Sequence, residues 1–146
     1  MPERGLESDE FEALAVDILS ANHSLRFRAH GGSMRPFIQN NDIIEVEAIT
    51  PGALKRGDVI LCRLANGRLL VHRIVRLGLK AAMVQGDARA MPDGWVPLPQ
   101  ILGRAAVLDR NGRRFRFDSP WVTAAGRLWM ALAPLRRLLI NWLHIS

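Results

Sequence analysis

The chain has 146 residues, one domain on a scale of roughly 100–200 residues per domain, and long enough to bury a core without staples. With 49% hydrophobic and 23% charged residues, 12 Gly and 8 Pro, it is excluded from the collagen-like, low-complexity and disordered classes. The formal charge of +6 is unevenly placed: residues 1–103 balance 12 basic against 12 acidic side chains, while residues 104–146 carry eight arginines against Asp109 and Asp118.

The first ten residues are acidic and lack an apolar segment, so no secretory signal is read and a cytoplasmic location is expected. Asp9 is placed to cap a helix, with Glu12 reaching back from its third position. Phe11, Leu14, Ala15, Ile18 and Leu19 follow at helical spacing to about Asn22. From Ser24 the period becomes two: Leu25, Phe27 and Ala29 alternate with polar residues, as do Ile44 and Val46. Further strands are expected over 58–64, 68–77, 80–85 and 102–109, and Asn111-Gly112 signals a type I′ hairpin joining 107–110 to 113–118. Six or seven short strands favour a mainly β, compact sheet or barrel. After Pro120, Leu128, Leu132, Leu135, Leu139, Trp142 and Leu143 return to helical spacing. The expected organisation is an N-terminal helix over 1–23, a β domain over 24–119 and one C-terminal amphipathic helix over 120–146. No stretch of about 20 apolar residues runs unbroken, because Arg127, Pro134, Arg136 and Arg137 interrupt the last one.

Cys62 is the single cysteine and the four histidines are scattered, so no disulfide, metal site or organic cofactor is expected. Chemistry is concentrated in three short stretches. Gly31-Gly32-Ser33-Met34-Arg35-Pro36 places a hydroxyl in a turn whose glycines let a substrate come close. Its amides can face a developing oxyanion. Leu70-Val71-His72-Arg73-Ile74-Val75 puts a histidine mid-strand, on the face of Leu70 and Ile74. Gln85-Gly86-Asp87-Ala88-Arg89, followed by Asp93, offers two carboxylates after a strand. Each stretch alone reads as ordinary structure: a turn, a core histidine, a strand-ending Gly-Asp.

Their order changes that reading. Gly32-Ser33-Met34-Arg35-Pro36, Gly57-Asp58-Val59-Ile60, Val71-His72-Arg73-Ile74-Val75 and Gly86-Asp87 together resemble the S26 serine peptidases of the type I signal peptidase superfamily (S24/S26). Ile101-Leu102-Gly103 resembles that family's closing segment, and the likeness spans residues 31–103. Many members carry a lysine where this chain has His72; the archaeal and endoplasmic-reticulum branch, with histidine, is the one it resembles best. The resemblance implies a signal-peptidase or SOS-repressor-like β fold and a serine endopeptidase that removes a leader or propeptide from a protein or peptide. It implies Ser33 as nucleophile, His72 as general base and Asp87 as the acid partner, with Asp93 as the alternative acid. The amide of Ser33, with that of Gly32, would bind the oxyanion, and Met34 and Pro36 would shape the substrate pocket and its turn. Gly57 and Asp58 read as a strand-starting turn.

The chain departs from the family in having no membrane span, and the 32 residues before Ser33 are too few for a repressor's DNA-binding domain and linker. Two placements are open for the C-terminal helix, whose apolar face includes Trp129, Leu132, Leu135, Leu139 and Trp142 beside Arg127, Arg136 and Arg137. It packs on the β domain or on a second copy, as a homodimer, or it lies on an anionic membrane surface, making the protein peripheral at the cytoplasmic face. No nucleic-acid partner is expected from the arginines alone. The alternative to catalysis is a peptide-binding module on the same fold that does not cut.

Overall fold

The computed structural model describes residues 8–145 and is mainly β: eight antiparallel strands with one helix before them and two after. The first helix, α1 (Ser8–Ser20), includes Asp9 in its first turn, so this residue is not its cap. It closes where Asn22 takes a positive φ of 65° and the His23 amide returns to the Ile18 carbonyl, a Schellman-type stop.

The strands are β1 (Leu25–Arg28), β2 (Ile43–Glu47), β3 (Val59–Arg63), β4 (Leu69–Leu77), β5 (Ala81–Gln85), β6 (Gly94–Pro97), β7 (Ile101–Arg110) and β8 (Arg113–Arg116). Eight strands replace the expected six or seven, because β6 had no alternating run to announce it. It is a four-residue edge strand with Pro97 last, where a missing amide costs no ladder bond. The sheet order is β1-β2-β7-β3-β4-β5-β6. The long β7 pairs along one side with β2, and along the other with β3 at its start and β8 at its end. Asn111 and Gly112, at φ 55° and 84°, make the hairpin turn between β7 and β8 that their residue types require.

Both faces of the sheet are covered, which explains why β3 reads as a continuous apolar run. Val59 and Leu61 point into one core with Ala15, Leu19, Ile44, Val46 and Leu108. Ile60 and Cys62 point into the other with Ile74, Val84 and Val96. Burial, and next to it the charge of Asp93, pushes the Cys62 thiol up to about 12, which makes this cysteine an inert core residue.

The C-terminal segment forms two helices where one was expected, α2 (Pro120–Ala131) and α3 (Ala133–Ile145). Ser119 caps α2 by accepting the Val122 amide at 3.2 Å. Pro134 has no amide proton to give, so the helix breaks at Leu132 and restarts with proline in the first turn, where it is tolerated. The buried Arg136 bridges the break: its Nη1 donates to the Trp129 carbonyl at 3.3 Å and its guanidinium stacks on the Trp129 ring. Burial holds the Arg136 pKa below the usual guanidinium range. Trp129 therefore faces inward rather than lying on the outer apolar face, and the Leu143 side chain lies outside the described residues. Among the described residues no helix is long and apolar enough to cross a membrane.

Candidate active site

Three segments meet at the end of the β4–β5 pairing. The register ends at Arg73↔Gln85, so His72 lies one position beyond the last paired residue of β5. Across β4 its partner is Ile60, which sets the imidazole on the same face as that residue. The turn of residues 31–38 fills the gap beside it. The Ala88 amide donates to the Ser33 carbonyl at 2.9 Å, tying the serine turn to the segment after β5. Gly31, at φ 86°, opens that turn, and its amide donates to Asn40 Oδ1.

The side chains then form a chain of contacts. Ser33 Oγ lies 3.0 Å from His72 Nε2, and His72 Nδ1 lies 2.5 Å from Asp93 Oδ2. An ionised carboxylate only accepts, so Nδ1 carries the proton and donates to Asp93. This leaves the Nε2 lone pair free to accept from the Ser33 hydroxyl. His72 is 4% exposed, while the Asp93 side chain keeps partial contact with solvent. The Asp93 amide donates to the Val84 carbonyl at 2.8 Å, which fixes the carboxylate just before β6.

The carboxylate on the imidazole is therefore that of Asp93, the second of the two expected acids, and not that of Asp87. Asp87 does not reach His72, because Arg73 claims it: Nε and Nη2 donate to its two oxygens, both at 2.8 Å, in a buried bidentate pair. Arg73 leaves β4 on the face opposite His72, donates to the Gly57 carbonyl at 2.9 Å and stacks on Phe37. The indole Nε1 of Trp129 donates to the Asp87 carbonyl at 2.9 Å, so α2 also holds this turn. The neighbouring residue types could have revealed Arg73. An arginine on the inward face of an apolar strand needs a buried carboxylate, so Arg73 has a claim on one of the two aspartates.

Met34 is buried in the core, and its sulfur accepts from the Asp87 amide at 3.4 Å, so it holds the turn from beneath. Pro36 is exposed beside it. Among the described residues the amides of Gly32 and Ser33 make no hydrogen bond within the chain. Gly57 and Asp58 are the expected turn: Gly57 has φ 99°, and Asp58 Oδ2 accepts the Lys55 amide.

Gly86 is the position that admits this packing. A Cβ there would lie 2.5 Å from the Ser33 carbonyl oxygen and 3.0 Å from His72 Nε2. Backbone cannot yield as a flexible side chain does, so Gly86→Ala is expected to displace Ser33 from His72. A crystal structure of the variant should show the contact between Ser33 Oγ and His72 Nε2 lengthened beyond its 3.0 Å. An unchanged 3.0 Å contact in that variant would show that the serine turn yields without losing the imidazole.

No family model, curated protein or solved structure matches this chain.

Proposed function

We propose that this chain is a serine endopeptidase of the S26 kind its motif boxes resemble, removing a leader or propeptide with Ser33 as nucleophile, His72 as general base and Asp93 as the acid partner. The reading is carried by one observation, the unbroken line Ser33 Oγ to His72 Nε2 and His72 Nδ1 to Asp93. A serine hydroxyl attacks only when a base takes its proton as the bond forms, and this geometry supplies the base within hydrogen-bond reach.

Ser33 Oγ adds to the scissile carbonyl while its proton passes to Nε2. The carbonyl oxygen becomes an oxyanion beside the Ser33 and Gly32 amides. The imidazolium, stabilised by the Asp93 carboxylate, returns that proton to the leaving amine, and the acyl-serine ester remains. Water then adds to the ester as His72 takes its proton, the bond to Ser33 Oγ breaks as His72 returns that proton to it, and the second product leaves as a carboxylate. The same sequence runs on the α/β hydrolases and other unrelated folds, because it depends on positions and not on topology.

Hydrolysis of a p-nitrophenyl ester and of fluorogenic peptides with small uncharged residues at the cut tests it. Ser33→Ala should lose activity by a factor on the order of 10^4 to 10^6 and keep its melting temperature within a few degrees. Equal activity in wild type and Ser33→Ala would refute the assignment, and peptide binding without any product would establish the binding-module alternative.

A further inference from the structure

The inner face of α2 is committed to the β domain through Gly126, Trp129 and Met130, but the outer face of α2 and α3 is not. Trp121 and Leu128, seven apart, share one side of α2, and Leu135, Leu139 and Trp142, four and three apart, share one side of α3. Their exposures run from 52% to 81%, and Leu138 beside them is 69% exposed. Single exposed apolar residues are ordinary; six on consecutive helices mark an interaction surface.

Charge decides what covers it. Residues 119–146 contain no Asp or Glu, so these residues are flanked by one sign of charge only. Arg127 and Arg137 are exposed and, among the described residues, have no carboxylate partner. Arg127 also lines a cavity of about 350 Å³ with Lys55 and Arg56, and the acids lining it are engaged elsewhere: Glu47 and Asp58 pair with Arg104, and Asp118 with Arg116. A second copy docked through this face would bring arginines together with no acid of the segment to meet them. A bilayer with anionic headgroups supplies that charge. The tryptophans stand near the start of α2 and the end of α3, a placement suited to the headgroup level. Each helix has only 12 or 13 residues, so this segment lies along a membrane and does not cross it.

We propose that the outer face of α2 and α3 docks on an anionic phospholipid bilayer, with these apolar side chains entering the headgroup–acyl boundary and Arg127, Arg137, Lys55 and Arg56 meeting lipid phosphates. The Trp129 bond to the Asp87 carbonyl holds α2 to the segment beside Ser33, so docking would bring the proposed site to the membrane surface.

Co-sedimentation of the full chain with vesicles tests this. Binding to vesicles of equal phosphatidylglycerol and phosphatidylcholine should be at least tenfold tighter than to phosphatidylcholine alone. Leu135→Ser/Leu139→Ser should weaken it about tenfold or more, and Arg127→Gln/Arg137→Gln several-fold, with the loss growing as salt is removed. Ester hydrolysis without vesicles should be unchanged in both variants, so failure of the docking surface is separable from failure of the peptidase reading. The proposal is overturned if wild type stays in the supernatant with both vesicle types, or if the double leucine variant binds as well as wild type. A lipid-free dimer that this variant converts to monomer, without vesicle binding, would assign the face to a second copy.

Discussion

Replacing Asp93 by asparagine is expected to lower kcat about 10^4-fold while KM and melting temperature stay near wild type. The asparagine keeps the size and much of the hydrogen bonding of the carboxylate but not its charge. Its amide can donate to Nδ1, which stabilises the tautomer with the proton on Nε2, and that tautomer cannot accept from Ser33. Nor can a neutral amide stabilise the imidazolium formed as Ser33 attacks. The effect falls on the chemical step, so single-turnover rates with the p-nitrophenyl ester are the appropriate measure. Wild-type kcat in Asp93→Asn, with activity lost in a folded Asp87→Asn protein, would return the acid role to Asp87.

Asp87→Ala is expected to act on stability instead, costing about 3–5 kcal/mol. The substitution leaves the Arg73 guanidinium, only 6% exposed, with the Gly57 carbonyl and the Phe37 ring for company. A buried charge without a counter-ion is far more costly than the pair itself, which breaks about even against well-packed apolar residues. At roughly 2–4 °C per kcal/mol for a chain of this size, the melting temperature should fall by about 6–20 °C. Arg73→Met/Asp87→Leu removes both charges and should recover much of that loss. A double variant no more stable than Asp87→Ala would show that the pair holds the turn by direct bonding and not by balancing charge. The pair joins β4, the turn after β5 and, through Trp129 on the Asp87 carbonyl, α2.

Much of the fold was legible because local rules and tertiary structure agreed. Asn111-Gly112 needs two positive φ angles in a type I′ turn, and those residue types adopt them at little cost. The alternation in residues 25–29 and 44–46 marked strands with one face inward. β6 was not legible: Gly94, Trp95, Val96 and Pro97 contain one buried apolar residue and a proline, and pairing with β5 makes them a strand. The helix break was in view in Pro134, but the 3–4 spacing on either side of it continues through the break and hid it.

At the site, the resemblance singled out Ser33 and His72, and the fold brings them to 3.0 Å although 39 residues separate them. The choice between Asp87 and Asp93 could not be made from spacing, because both follow β5 within one excursion of chain and either could turn toward the imidazole. Arg73 makes the choice. On a strand, adjacent side chains face opposite ways, so His72 and Arg73 each take one carboxylate on its own face of the sheet. Reading Arg73 as a buried charge in need of a partner shows that one aspartate is taken, and the fold decides which.

In the proposed mechanism His72 makes Ser33 nucleophilic. Peptide mapping by mass spectrometry after treatment with a fluorophosphonate tests it most directly, since this reagent phosphonylates activated serine hydroxyls in preference to ordinary ones. One phosphonyl adduct is expected, on Ser33, formed in wild type and suppressed in folded His72→Ala. No adduct on Ser33, or labelling that proceeds equally in His72→Ala, would contradict it.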